Sequence, residues 1–375
     1  MDKKSKNLAL VLLAASALTA CGGSKQEPTL KEALKDKFLI GVALNSWQTS
    51  GRDTAAVAIV KKQFAAIVPE NCMKQSVIHP EPDRYDFAQA DEFVEFGLAN
   101  NLWITGHCLV WHSQQSRWFC TDENGNNVSA DVLKERMKEH IYTVVGRYKG
   151  KIKGWDVVNE AILEDGSYRK SRLYEILGEE FIPLAFQYAH EADPDCELYY
   201  NDYNEWYPEK RATVVRLIKT LKERGLRIDG IGMQGHVSMT SPTIEEYQAT
   251  IDDYVGAGVK VLVTELDMSA LPEPRRMGGA NVSDREAYRK EIDPYKEGLP
   301  DSVSVKWTNR MADLFDLFLK NSDNMLRVTQ WGVTDATSWK NGFPVPGRTD
   351  YPLLFDRQNN PKPVVERIIE DAKKY

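Results

Sequence analysis

Two glutamates each follow a short apolar run of the chain and are candidates for acid–base chemistry. Glu160 ends the run Gly154–Glu160, and Glu265 lies near the end of Lys260–Asp267. If both runs are strands of one parallel sheet, both carboxylates lie at its carboxyl edge, where sites are built. Two carboxylates in different surroundings can divide the work, since one keeps a proton to donate and the other stays ionised.

This division of roles is what cleavage of a glycosidic bond requires. A carboxyl separation of roughly 5–5.5 Å gives retention through a covalent intermediate, and roughly 6.5–9.5 Å leaves room for water and gives inversion. The spacing of Glu160 and Glu265 in the sequence leaves both outcomes open. The alternative is a pair of structural carboxylates held in ion pairs.

Other polar and aromatic side chains also follow apolar runs. They are Glu70, Asn71, His107, Trp111, His112, Asn159, Asn201, Asp202, Tyr203, Asn204, Gln234, His236, Asp267 and Trp331. Any single one is explained as a structural polar group. The whole set predicts one rim that can hydrogen-bond and stack on a ligand. We expect His236 and Asp267 to hold Glu265 ionised through hydrogen bonds, so that Glu160 carries the proton.

Eight short apolar runs recur along the chain and predict the strands that carry these residues. They are Phe38–Leu44, Ala65–Asn71, Trp103–Val110, Gly154–Glu160, Cys196–Asp202, Gly230–His236, Lys260–Asp267 and Arg327–Thr334. Continuous apolar runs are typical of strands buried on both faces. Between them, Ala130–Tyr148 and Glu209–Arg224 show helical spacing. The pattern predicts an α/β fold, a single-domain (β/α)8 TIM barrel; the alternative is a doubly wound sheet, but no GxGxxG turn follows the first run.

One stretch, Leu271–Val305, breaks this rhythm. It contains Pro272, Pro274, Gly278, Gly279, Pro294 and Pro300. We expect a long loop after the seventh strand, at the face of the barrel where active sites are built.

The N-terminus predicts export. Three lysines precede an apolar run from Leu8 to Ala20, which is too short to span a membrane comfortably as a helix. The run ends at Cys21 and resembles a bacterial lipoprotein signal. The prediction is a signal peptide over residues 1–20, a flexible linker over 21–30 after lipidated Cys21, and a catalytic domain over 31–375. An ordinary signal peptide with an incidental cysteine is the alternative.

Composition excludes some classes of partner. The formal net charge is −7, whereas nucleic-acid binding calls for a basic surface. The remaining cysteines, Cys72, Cys108, Cys120 and Cys196, form no CxxC pair and have no histidine at zinc-ligand spacing. We therefore expect no structural metal, and the disulfide state stays open.

Blocks of this chain, in order from about Phe38 to the C-terminus, resemble the xylanases of glycoside hydrolase family 10. The matching segments are Pro69–Lys74, Gly106–Gln114, Trp155–Glu160, Asn201–Asn204, Asp229–His236, Val263–Asp267, Trp331-Gly332 with Asp335 and Ser338-Trp339, Pro352–Asp356, and Pro361–Pro363. The resemblance implies a retaining endo-β-1,4-xylanase acting on xylan or xylo-oligosaccharides, with Glu160 as acid/base and Glu265 as nucleophile. It requires no cofactor.

The resemblance also implies roles for the residues around the two glutamates. Glu70, Asn71 and Lys74 would bind xylose units on the glycone side, and His107, Trp111 and Gln114 would surround the sugar at the cleavage point. Asn159, Gln234 and His236 would orient the reacting sugar and the nucleophile. Trp331 and Trp339 would crowd out a hydroxymethyl group, and Tyr203 would line the floor or the aglycone side. Asp267 would support the nucleophile from behind.

The chain departs from the family pattern at several positions. Gln75-Ser76 replaces the usual Trp-Glu after Lys74, which we expect to remove an aromatic near the glycone subsites. Cys108 replaces a common threonine, and Gln115–Trp118 lacks the usual proline. The Leu271–Val305 stretch borders the cleft.

Three other functions remain open at this stage. A related barrel enzyme could cut β-1,4-glucan, a surface lipoprotein could bind glycans without turnover, and a barrel enzyme could handle phosphate. The last lacks a Gly-rich cradle after the seventh and eighth runs. We expect a monomer anchored in the cell envelope through Cys21.

Overall fold

The computed structural model describes residues 28–272 and 290–375. Cys21, the predicted signal peptide and most of the predicted linker lie outside the described residues. So does the centre of the stretch 271–305.

Parallel strands form a closed barrel. The strands are β1 Leu39–Leu44, β2 Ala66–Pro69, β3 Trp103–Trp111, β4 Gly154–Asn159, β5 Glu197–Asp202, β6 Gly230–Met233, β7 His236–Ser238, β8 Lys260–Ser269 and β9 Met325–Gln330. Neighbours pair in chain order from β1 to β6, β6 pairs with β8, and β9 pairs with both β8 and β1. Eight strands therefore close the ring, and β7 is a short extension beside the end of β8. The predicted (β/α)8 barrel is confirmed.

Helices surround the barrel. They are α1 Leu30–Leu34, α2 Ser46–Thr49, α3 Thr54–Gln63, α4 Gln75–Ile78, α5 Ala88–Ala99, α6 Ala130–Arg147, α7 Arg172–Leu177, α8 Phe181–Ala192, α9 Pro208–Glu223, α10 Ile244–Gly256, α11 Asp301–Lys320 and α12 Pro363–Asp371. Short 3-10 helices lie at Arg117–Phe119, Gly178–Glu180, Ser322–Asn324, Asp335–Thr337, Trp339–Asn341 and Ala372–Lys374. None of the helices described in 28–272 and 290–375 combines the length and apolar character that a membrane crossing requires.

Local chemistry sets where several of these helices begin and end. Ser129 accepts a hydrogen bond from the backbone of Val132 and caps α6. Thr243 and Glu246 form a reciprocal capping box at the start of α10. Gly225, with a φ of +70°, follows α9 and lets the chain turn where a side chain would be strained.

Four predicted strands end earlier than expected. Two of them, predicted to reach Asn71 and Glu160, end at Pro69 and Asn159. The run Gly230–His236 breaks at Gly235, whose φ of +79° ends the extended backbone, and His236 restarts pairing opposite Asp267. The last strand ends at Gln330 rather than Thr334, because the chain turns at Gly332, where the φ is +125°. The Gln330 side chain donates to the carbonyls of Gly332 and Val333 and holds this turn.

The expected loop over Leu271–Val305 is shorter than predicted. Helix α11 begins at Asp301, directly after Pro300. Proline is tolerated at a helix start, where its missing N–H is no loss. Pro300 therefore marks a helix boundary.

Candidate active site

The carboxyl ends of the barrel strands open into a cleft of about 720 Å³. Glu160 and Glu265 both line it. All the predicted substrate-binding residues line it as well: Glu70, Asn71, Lys74, His107, Trp111, Gln114, Asn159, Tyr203, Gln234, His236, Trp331 and Trp339. The structure therefore brings the predicted rim together in one place. Asp267 is fully buried behind the cleft wall.

Glu265 lies inside β8 and is buried, with hydrogen-bond partners on both carboxylate oxygens. Asn201 donates to Oε1 over 2.8 Å, and Nε2 of His236 lies 3.2 Å from Oε2. Burial alone would raise the pKa of Glu265, but the hydrogen bond from His236, the charges of His107 and His236, and the hydrogen bond from Asn201 together lower it below its usual value. Glu265 is thus held as an anion.

His236 lies between two carboxylates. Its Nδ1 pairs with Asp267 over 3.0 Å, while its Nε2 faces Glu265. Burial disfavours the charged ring, but Asp267 and Glu265 outweigh burial and raise the pKa of His236 to about 9. Asp267 also accepts a hydrogen bond from Trp339 Nε1 over 2.7 Å. Of the two residues predicted to hold Glu265, His236 contacts it directly, whereas Asp267 acts through its contact with His236.

Glu160 follows β4 and is only partly buried. Trp111 Nε1 donates to its Oε2 over 2.8 Å, and Gln234 Nε2 donates to its Oε1 over 3.0 Å. Neither donor is a cation, unlike the imidazole beside Glu265. The two carboxylates of the cleft therefore differ in both burial and charge environment.

Amide side chains connect the surroundings of the two glutamates. Asn201 donates to both Glu265 and Asn159, the latter over 2.9 Å, and Gln234 lies 3.4 Å from the same Asn159 oxygen. Thr264 donates to the Asn201 oxygen over 2.6 Å and so fixes the orientation of its amide. A network of this kind restricts the rotamers of every member.

One side of the cleft is built around Lys74. Its ammonium donates to Asn71 over 3.0 Å and to Gln114 over 2.9 Å, and lies 5.0 Å from the Trp111 ring centre. These contacts bring side chains from the ends of β2 and β3 into one polar wall that offers donors and acceptors to a hydroxyl-rich ligand.

Aromatic rings form a second part of the cleft lining. Trp331 packs on Ala43 and Val68 at the mouth of the barrel, and His107 meets its ring edge-on at 5.5 Å. Trp339 lies 5.0 Å from the His236 ring. Flat apolar faces beside hydrogen-bonding groups suit a sugar ring, which has both kinds of surface.

The sequence matches Glycosyl hydrolase family 10 over residues 29–371. The chain belongs to this family. It is 48% identical over 363 residues to "Endo-1,4-beta-xylanase A" of Xylanibacter ruminicola, covering 97% of each chain. It is 40% identical over 345 residues to an "Endo-1,4-beta-xylanase" of Geobacillus stearothermophilus, covering 91% of this chain and 98% of the relative.

Solved family 10 structures share the fold. A GH10 endoxylanase retrieved from a sugarcane soil metagenome superposes with a TM-score of 0.86 at 42% identity, covering 92% of this chain and 99% of that one. A mutant enzyme in complex with xylotriose superposes with a TM-score of 0.81 at 33% identity, covering 91% and 99%.

One departure from the family 10 pattern makes a contact that the sequence did not predict. Gln75 is buried and does not line the cleft. Its side chain instead accepts a hydrogen bond from the Ser116 backbone N–H and donates to the His79 carbonyl. Ser116 lies in the segment that lacks the usual proline, and proline has no N–H to donate. The two departures from the family pattern, at Gln75 and in Gln115–Trp118, are therefore joined by one hydrogen bond.

The sequence analysis assigned no specific role to several residues of the site. Ser113, Asn204, Lys340 and Phe343 line the cleft, and Asn201 donates a hydrogen bond to the buried Glu265. Asn201 ends an apolar run and was visible among the strand-end polar residues, whereas Lys340 and Phe343 lie in an irregular loop without a repeating pattern. Over residues 28–272 and 290–375, no group of three or more His, Cys, Asp or Glu side chains is arranged to hold a metal ion. Cys72, Cys108, Cys120 and Cys196 are all free thiols and buried.

Proposed function

We propose that this protein is a retaining endo-β-1,4-xylanase in which Glu265 is the nucleophile and Glu160 the acid/base. The supporting observation is the contrast between the two carboxylates of one cleft. Glu265 is buried, ionised and paired with His236, whereas Glu160 is partly exposed and held by neutral donors. A nucleophile needs the first environment, and a group that must both give and take a proton needs the second.

In the first step, a Glu265 oxygen attacks the anomeric carbon of the sugar at the cleavage point. The bond from this carbon to the glycosidic oxygen breaks, and Glu160 gives its proton to that oxygen. The leaving chain departs with a new hydroxyl group, and a glycosyl ester of Glu265 remains. Asn159 and Gln234 are suited to hold the reacting sugar through hydrogen bonds that strengthen at the transition state.

In the second step, Glu160 acts as a base. It takes a proton from a water molecule, whose oxygen attacks the same anomeric carbon and releases Glu265 as a carboxylate. Two inversions give net retention of configuration. His236 and Asn201 stabilise the carboxylate as it leaves.

Xylan is the substrate that the walls of the cleft suit best. Trp331 and Trp339 stand over the region near the nucleophile, where glucose would carry a hydroxymethyl group and xylose has only hydrogen. Glu70, Asn71 and Lys74 supply hydrogen bonds on the glycone side, with His107, Trp111 and Gln114 around the sugar at the cleavage point and Tyr203 on the aglycone side. The similar proteins named as endo-1,4-β-xylanases support the same choice.

The test compares the wild-type protein with Glu265→Ala on unsubstituted xylan and on cellulose. We expect short xylo-oligosaccharides from xylan only, released first as the β-anomer in an NMR time course, and no product from the variant. Early α-anomer would contradict the retaining mechanism. Cleavage of cellulose in preference to xylan would show that the substrate is a β-1,4-glucan. Binding of xylan without any hydrolysis would favour a glycan-capture protein.

We further propose that residues 1–20 are a lipoprotein signal peptide and that Cys21 anchors a monomeric enzyme domain, residues 31–375, in the cell envelope. The support is the basic start, the short apolar run and the cysteine that ends it. The test is metabolic labelling with a fatty acid in a bacterial host. Label should enter the wild-type protein and be lost in Cys21→Ala, whereas equal label in both would contradict the anchor. Gel filtration of residues 22–375 should give the mass of one chain.

A further inference from the structure

A short hairpin leaves the barrel directly after Glu160 and returns beside it. Ile162 and Tyr168 pair as an antiparallel bridge, and the Arg169 N–H donates to the Ala161 carbonyl over 2.8 Å. The hairpin has Gly166 at its turn, with a φ of +78°. Its geometry brings the side chain of Arg169 back to the main chain of Glu160.

Glu160 itself has an uncommon backbone conformation. Its φ is +58°, a left-handed value that is unfavourable for a residue with a side chain. The surroundings hold the backbone there: the Glu160 N–H donates to the Asn201 carbonyl, and the next N–H, from Ala161, donates to the Tyr200 hydroxyl. A conformation of this kind persists only where neighbours over-determine it. The direction of the Glu160 carboxylate depends on it.

Arg169 completes this support and also reaches the cleft wall. Its Nε donates to the Glu160 carbonyl over 2.9 Å, and its Nη2 donates to the Tyr203 hydroxyl over 2.7 Å. One planar guanidinium therefore fixes the main chain of Glu160 and the ring of Tyr203 relative to each other. The fork geometry of arginine allows this, since lysine offers a single ammonium that cannot donate along two parallel directions.

We propose that Arg169 is a positioning residue for the acid/base function of Glu160. Through its hydrogen bond to Tyr203, it also fixes the position of Glu160 relative to the aglycone wall of the cleft. Arg169 does not line the cleft itself. It acts by holding the left-handed turn at Glu160, so that the carboxyl group meets the glycosidic oxygen of a sugar resting against Tyr203. The inference rests on the proposed function, because it needs Glu160 to be the acid/base.

The test separates proton transfer from substrate binding by the choice of leaving group. A phenolate leaves poorly without a proton, whereas 2,4-dinitrophenolate leaves without one. We expect Arg169→Met to lower kcat/KM on phenyl β-xylobioside by about 10- to 100-fold, a share of the effect of general acid catalysis. On 2,4-dinitrophenyl β-xylobioside, kcat/KM should change by less than about threefold, because glycosylation of this substrate needs no acid.

The second step gives an independent readout. With the dinitrophenyl substrate, kcat reports release of the glycosyl-enzyme, which needs Glu160 as a base. We expect kcat of Arg169→Met to fall and added azide to restore it. Azide attacks the anomeric carbon as an anion, releases the Glu265 carboxylate and forms β-xylobiosyl azide, with no proton transferred. This product should form with the variant and scarcely with wild type.

Matched variants keep the result interpretable. Arg172→Met removes a nearby arginine that donates to Asn127 and not to Glu160, and should behave as wild type. Tyr203→Phe should reproduce part of the Arg169→Met pattern, and the double variant should be less than additive because both changes break one link. Arg169→Lys should restore part of the loss on the phenyl substrate.

Two results would overturn the proposal. An equal loss of kcat/KM on both aryl substrates would give Arg169 a purely structural role. Wild-type kinetics in Arg169→Met would show that Arg169 has no role in the reaction. If Arg169→Met does not fold, Tyr203→Phe carries the same comparison, and an equal loss on both substrates there overturns the proposal too. Failure of the wild-type protein to cleave either substrate would instead overturn the proposed function, and this inference with it.

Discussion

The Nε2 atom of His236 lies 3.2 Å from Oε2 of Glu265. The contact depends on the break at Gly235, which ends one strand and lets His236 pair with Asp267 in a new register. Asp267 then binds the other ring nitrogen and keeps the imidazole charged and fixed in orientation. A buried carboxylate is thereby kept ionised by a cation that the barrel itself positions.

Replacing His236 should move the acid limb of the pH–activity profile to higher pH. In the wild-type protein, His236 and Asn201 hold the pKa of Glu265 below its usual value against the effect of burial. In His236→Asn, burial remains and the cation is gone, so Glu265 takes up its proton at higher pH. The acid limb of kcat/KM on an aryl xylobioside should move upward. An unmoved limb would mean that another group sets it.

The contacts of His236 with Glu265 and Asp267 should make the free energy of unfolding fall as the pH rises above neutral. The pKa of His236 is raised to about 9 by its two carboxylates. Its contribution is therefore fully present below its unfolded value of about 6.5 and is lost as the pH rises through the folded value. Urea unfolding of wild type and His236→Asn should differ most near pH 6 and least near pH 10. A constant difference across this range would contradict the charged state assigned to His236.

Phe343 should contribute to sugar binding through its stack on Trp339. The two rings lie 5.0 Å apart and nearly parallel, and Phe343 is 56% exposed at the cleft. Phe343→Ala removes an exposed ring from the cleft and leaves Trp339 without its stacking partner, so it should raise KM for xylo-oligosaccharides several-fold. Its kcat should stay near wild type. Tyr142→Ala removes an exposed ring outside the cleft and should leave KM unchanged.

Gln75 should stabilise the fold through its contacts with Ser116 and His79. Truncation leaves the part-buried Ser116 N–H unsatisfied, which costs about 1–3 kcal/mol, whereas the His79 carbonyl keeps a hydrogen bond from the Ser116 hydroxyl. Gln75→Ala should therefore lower the thermal midpoint by several degrees. Gln358→Ala, at an exposed loop position, is the matched control and should have little effect. Equal midpoints for the two variants would show that the Gln75 contacts add no stability.

The sequence pattern predicted the barrel and the residues at its strand ends for a physical reason. A strand buried on both faces leaves a continuous apolar run, and the first polar residue after it must lie at the mouth. Glu160 and Gln234 follow this rule, and Asn201 lies one residue before the end of its strand. The sequence could place Asn201 and Glu265 at the same rim. It could not predict that their side chains are hydrogen-bonded to each other, because that contact depends on the register of the strands.

Residues in irregular segments gave no such signal. Arg169 returns to Glu160 only because a hairpin turns at Gly166, and Phe343 reaches the cleft from a loop that follows the last barrel strand. The break at Gly235 also hid the pairing of His236 with Asp267, since the apolar run continues through it. These positions depend on backbone turns and on contacts between distant segments, which no local periodicity encodes.

The hydrogen bond between Gln75 and Ser116 makes the choice of residue at these two positions interdependent. A proline at position 116 would leave the Gln75 oxygen without its donor, and a tryptophan at position 75 would leave the Ser116 N–H without its acceptor. Either change alone therefore removes the contact, and the cost of a change at one position should depend on which residue occupies the other.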